Sequence, residues 1–141
     1  MTIHEETIRF FEELPVRDPH QMSALALAYI GDTVYDLYAR TFVVHTCGGG
    51  AHALHLAAAR HVCAAAQAAA YRRMESVLTE EEKAVFRRGR NAHSGTMPKN
   101  ATVADYRTAT GLETLIGFLY MSGNDARIGT LMRIAIEGEK E

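Results

Sequence analysis

A chain of 141 residues fits one domain, residues 1–141, large enough to bury roughly two thirds of the surface its unfolded form exposes. Its 48% apolar and 23% charged content is that of a soluble globular protein, and no window reaches the ~18 uninterrupted apolar residues that would imply a membrane partner. The formal charge of −2 argues against holding a polyanion by bulk electrostatics, although totals hide distribution.

The N-terminus, MTIHEETIRFFEEL, carries acids ahead of its apolar residues, unlike a secretory signal, so a cytoplasmic protein is expected. A short helix over about Glu5–Leu14 has Ile8, Phe10, Phe11 and Leu14 as its apolar side and ends at Pro15. Asp18-Pro19-His20-Gln21 reads as a capping box that opens a second helix. That helix runs through SALALAYIGDTVYDLYARTFVV to about His45 and stops at Gly48-Gly49-Gly50. It is apolar nearly all round, which predicts the buried central helix.

Ala51–Leu78 is alanine-rich and helical by propensity, divided near Arg60. Thr79-Glu80-Glu81-Glu82 forms another capping box and opens a helix to about Asn91. Ala92–Lys99, with Ser94, Gly95 and Pro98, reads as a loop. Thr102–Asp105 caps a helix to Met121, Ser122-Gly123 breaks it, and Asn124 caps the last helix, to about Glu137. No segment alternates apolar and polar residues long enough for a strand, so the fold class is all-α. Cys47 and Cys63 lack the CxxC spacing of a metal or redox site and are expected to be reduced thiols.

Two acids stand where a core is expected. Asp32 lies in LALAYIGDTVYDLY and Glu113 in ATGLETLIGFLY. A buried carboxylate must be protonated, paired with a base or bound to a cation. No base lies three or four residues away from either one on its own helix. A divalent cation of the Mg²⁺ type is one answer. Each acid could instead sit at the edge of an amphipathic stripe, or meet Arg40 or Arg107 through the fold. Gly31 and Gly117 favour the first answer, because glycine in a helix interior marks close approach of another backbone. Two helices crossing there would bring Asp32 and Glu113 together. Asp36, one turn after Asp32, is expected to be solvated or paired.

From Lys83 to Asn100 the chain reads KAVFRRGRNAHSGTMPKN, a basic patch without a single acid. This segment, together with ALAYIGDTVYDLYAR and YRTATGLETLIGFLY, resembles the ribonuclease III family, in particular its short Mini branch without a double-stranded-RNA-binding domain. The resemblance spans about Met22–Met121. It implies the helical ribonuclease III endonuclease-domain fold, a homodimer, and Mg²⁺-dependent cleavage of double-stranded RNA, with Mn²⁺ able to substitute. Asp32 and Glu113 then match the family's metal-binding catalytic acids. The implied substrate is the 23S ribosomal RNA precursor, with a large-subunit ribosomal protein as a further partner. Full-length relatives carry extra acids where this chain has Leu25, Ala28 and Thr110, so fewer protein ligands hold the metal here.

Within the basic patch, Arg88, Arg90, Asn91, Ser94 and Lys99 are the expected RNA contacts, meeting phosphates and 2′-hydroxyls across the minor groove of A-form RNA. The same run also has the form of a solvated helix end and loop. His52 and His55 could share a helix face, yet no further His or Cys completes a zinc site. His93 has no visible carboxylate to orient it as a general base. The competing reading is a non-catalytic RNA-binding ribosome-assembly protein that keeps the ribonuclease III fold.

Overall fold

The structure is a computed structural model and describes residues 1–92, 99 and 101–138. Among these residues there are seven α-helices and no strand: α1 (Ile3–Ile8), α2 (Ala24–Thr46), α3 (Ala51–Val62), α4 (Ala64–Met74), α5 (Glu80–Arg90), α6 (Val103–Met121) and α7 (Asp125–Glu137). Short 3₁₀ turns, Pro19–Gln21 and Glu75–Val77, precede α2 and follow α4. The all-α expectation holds.

Helix starts follow their capping residues. Thr79 accepts from the Glu82 amide while Glu82 reaches back to the Thr79 amide, the expected capping box of α5. Thr102 caps α6 and Asn124 caps α7, both as read from the chain. Three boundaries differ. A capping box of Thr2 and Glu5 starts α1 at Ile3, and the helix stops at Ile8, leaving Phe10, Phe11 and Leu14 exposed rather than packed. Asp18 caps only the 3₁₀ turn, because Met22 is extended (ψ 148°) and Ser23 begins the long helix afresh by accepting from the Ala26 amide. The alanine-rich stretch divides at Cys63, again at one extended residue (ψ 157°), rather than near Arg60.

The larger correction concerns the centre of the fold. α6, not α2, is the enclosed helix: from Ala109 to Tyr120 every residue except Glu113 is buried. It touches α1, α2, α4, α5 and α7. Ala109, Gly111, Thr114 and Gly117 are small enough to let neighbours pack close on several sides. By contrast α2 buries one face, with Leu27, Gly31, Tyr35, Ala39 and Val43, and leaves Leu25, Tyr29, Leu37 and Val44 exposed on the other, Tyr29 by 83%. Apolar composition all round a helix cannot say which of two such helices is surrounded. No helix among the described residues is long and apolar enough to cross a membrane.

Candidate active site

The two glycines singled out in the sequence lie at the α2–α6 crossing. A Cβ on Gly31 would sit 1.8 Å from the Glu113 carbonyl oxygen and 2.7 Å from the Gly117 nitrogen, and one on Gly117 would sit 1.9 Å from the Leu27 carbonyl oxygen. The obstacles are backbone atoms, which cannot swing aside as a side chain can. Only glycine lets these helices approach so closely. Asp32 follows Gly31 directly, and Glu113 precedes Gly117 by one turn, so the crossing sets the two carboxyls side by side. Thr114 helps hold the register, its hydroxyl donating to the Thr110 and Ala24 carbonyls at 2.7 and 3.2 Å.

The carboxyls are in hydrogen-bond contact, and burial, that bond and the Asp32 charge together push the Glu113 pKa up to about 8. Burial is the largest cause, since removing water penalises the charged form. Gln67 works in the opposite direction: its Nε2 donates weakly to Glu113 Oε2 at 3.5 Å. Without a cation, therefore, the pair keeps a proton near neutral pH. The environments of the two acids differ. Glu113 is largely enclosed, but Asp32 is exposed, contrary to the expectation that both belong to a core, because it lies toward the uncovered side of α2.

No base neutralises the pair among the described residues. Arg40 bonds Asp36 instead, Nε to Oδ2 at 2.9 Å, which gives Asp36 the paired role expected of it. Thr110 is buried and donates its hydroxyl to the Tyr106 carbonyl. No cluster of three or more His, Cys, Asp or Glu side chains suited to a metal exists among the described residues. Two carboxylates and a carboxamide remain as the donor set. These are hard oxygen ligands, too few to saturate a cation, and they fit a divalent ion of the Mg²⁺ type that completes its shell with water and phosphate oxygens.

Gln67 escaped the sequence reading. It is the only polar residue in AAAQAAA, and 2% exposure for so polar a side chain reflects its contact with Glu113. A lone glutamine in an alanine run was the available signal.

The basic residues are not gathered at the carboxyl pair but lie along the C-terminal part of α5 and beyond. Arg88 is exposed, yet its Nη2 donates to the Met22 carbonyl at 2.7 Å, tying α5 to the segment before α2. The Arg90 guanidinium lies 5.8 Å from the Phe86 ring centroid, and its Nε donates to Asn91 Oδ1 at 3.3 Å. Asn91 and Lys99 are exposed. Ser94, His93 and the rest of 93–98, read from the sequence as a loop, lie outside the described residues. His52, His55, Cys47 and Cys63 are exposed, the two cysteines as free thiols.

Comparison with known proteins follows the same lines. Residues 25–124 match the model of the ribonuclease III domain, a span that contains both glycines, both acids and Gln67. The chain is 43% identical to Mini-ribonuclease 3 of Clostridium tetani over 129 residues, 89% of this chain and 83% of that one. It is 44% identical to Mini-ribonuclease 3 of Brevibacillus brevis over 131 residues, covering 91% and 97% of the two chains. A crystal structure of a Fusobacterium nucleatum protein superposes with a TM-score of 0.78 at 31% identity, covering 87% of this chain and 98% of that one.

Proposed function

The chain belongs to the ribonuclease III family and is an endoribonuclease of double-stranded RNA, and on that premise we propose that Asp32 and Glu113 are its metal-binding catalytic pair. The observation that carries this reading is a Glu113 carboxyl bonded to a second carboxyl with no base beside it. Such an arrangement opposes folding unless a proton or a cation bridges it. Mg²⁺ is the proposed cation, with Mn²⁺ able to replace it.

A divalent ion held there supplies a Lewis acid for the phosphodiester and acidifies water at neutral pH. The protein's own contribution is positional. The glycine crossing fixes the separation of the carboxyls, and Gln67 on α4 donates to Glu113 Oε2. Asp32, being exposed, faces the side from which a phosphate can approach. Arg88, Arg90, Asn91, Ser94 and Lys99 are proposed to contact the RNA backbone, binding a duplex by shape rather than sequence.

The remaining proposals rest on the likeness to the Mini-ribonuclease 3 proteins. Residues 1–141 act as one catalytic domain, in the cytoplasm, on the 23S ribosomal RNA precursor, with a large-subunit ribosomal protein as partner. The enzyme works as a homodimer, a reading supported by the apolar residues that α2 leaves uncovered, Tyr29 and Leu37 among them.

Asp32→Asn and Glu113→Gln test the assignment in a cleavage assay with labelled duplex RNA and Mg²⁺. The expected loss is at least about a hundredfold to a thousandfold, the scale on which a preorganised electrostatic group contributes. Duplex binding in chelator should persist. Normal cleavage by either variant would overturn the assignment.

A further inference from the structure

The face of α4 that carries Gln67 leads to a second site. Tyr71 lies one turn further on, about 6 Å along the helix. Its ring stacks on Phe86 of α5, with centroids 3.7 Å apart and planes 7° from parallel. Against Tyr71 opens a cleft of about 350 Å³, walled by Arg72, Glu75 and Ser76 on one side and Lys83, Arg87 and Arg90 on the other. Spacings of four and three residues put Lys83, Arg87 and Arg90 on one face of α5.

Four cations thus face one carboxylate. Glu75 is already engaged by the Tyr71 hydroxyl, and Lys83 meets Glu80 only at 3.8 Å on an exposed surface. Arg72, Arg87 and Arg90 enter no ion pair among the described residues. A helix C-terminus attracts bases by its dipole, which accounts for Arg87 and Arg90. It does not account for Lys83 near the start of α5, or for the way residues from two segments converge on one hollow. Guanidinium forks, an ammonium and the Ser76 hydroxyl are the donor set that matches the oxygens of a phosphate.

We infer that the cleft between α4 and α5, floored by Tyr71 and walled by Arg72, Lys83, Arg87 and Arg90, is a phosphate-binding site distinct from the carboxyl pair. The phosphate belongs either to the RNA strand as it runs on from the cut, which rests on the catalytic reading above, or to a free nucleotide. Arg72 and Arg87 are exposed and lie outside the carboxyl pair and the proposed RNA contacts, so removing their charge should not disturb the fold.

The test compares wild type, the Arg72→Gln/Arg87→Gln double variant, the corresponding double lysine variant, and Arg133→Gln, an exposed arginine on α7, as a control for general charge. Binding of a blunt RNA duplex and of ADP is measured separately in chelator, so the result does not depend on whether Asp32 and Glu113 are catalytic. The double glutamine variant should bind at least one probe about tenfold more weakly. The lysine variant, which keeps the charge but loses the forks, should fall between the glutamine variant and wild type, and Arg133→Gln should stay within about threefold of wild type. For the duplex, the salt dependence should also flatten by about one to two phosphate contacts, each contributing a slope near 0.9 by analogy with duplex DNA. Weakened duplex binding alone assigns the site to the RNA strand. Weakened ADP binding, with or without the duplex, assigns it to a terminal phosphate. Unchanged binding of both probes, or an equal loss in Arg133→Gln, would overturn the inference.

Discussion

Glu82 and Glu113 are both withdrawn from water, yet their neighbours drive them in opposite directions. At the joint of α5 and α7, Glu82 is 5% exposed and held by Arg127 through two bonds of 2.8 Å, Nε to Oε2 and Nη2 to Oε1. The Thr79 amide adds a third. The Arg127 bond, ahead of all other causes, keeps the Glu82 carboxyl below its ordinary pKa. At the crossing of α2 and α6, Glu113 meets Asp32 instead of a base, and its pKa rises to about 8. Burial alone therefore does not define a structural carboxylate. The charge of the partner decides whether a buried acid stabilises the fold or awaits a cation.

The sharpest way to break the second region is Gly31→Ala. The new methyl would have to displace the backbone of α6, so a loss of about 3 kcal/mol or more is expected, together with loss of cleavage as the carboxyls separate. Chemical denaturation measures it. A fully stable, active alanine variant would mean that the helices do not touch at this point.

Glu82→Gln and Glu113→Gln then set the two acids against each other. The former leaves Arg127 without its counter-charge and should destabilise by about 3 kcal/mol. The latter replaces a buried carboxyl that must stay protonated beside Asp32 and, in chelator, should leave the protein as stable as wild type near neutral pH and more so as pH rises past about 8. Their pH dependence has opposite signs. Glu82, with a folded pKa below 4.5, stabilises above 4.5, and that contribution is lost as pH falls through the folded value. Glu113 holds an extra proton in the folded state between 4.5 and about 8, so metal-free stability declines as pH rises across that window. The decline should disappear in Glu113→Gln. Melts in chelator from pH 4 to 9 would reveal both trends, and parallel curves for wild type and Glu113→Gln would remove the basis for a strained pair.

The smallest effects belong to the basic segment and separate a structural arginine from a surface lysine. Arg88→Ala loses the bond to the Met22 carbonyl and should cost about 1–2 kcal/mol. Lys99→Ala should change stability by less than ~0.5 kcal/mol while lowering the salt slope of duplex binding by about one contact. If Lys99→Ala leaves that slope untouched, the lysine is only a solvated charge.

Much of this could be read from the chain. The caps at Thr79, Thr102 and Asn124 fix helix starts through bonds to residues three positions away, and such local chemistry is written in the sequence. Gly31 and Gly117 announced a close crossing because a helix interior tolerates glycine at a cost that only packing offsets. From those glycines the nearness of Asp32 and Glu113 followed. Tertiary structure alone decided that α6 rather than α2 is enclosed, that Asp32 is exposed and Glu113 is not, and that Gln67 reaches Glu113 across 46 positions. Local patterns state what each helix can bury, whereas enclosure depends on how many neighbours arrive from distant parts of the chain. The pKa of Glu113 depends on those neighbours too, because desolvation and a second carboxyl act through space and leave no trace in residue spacing.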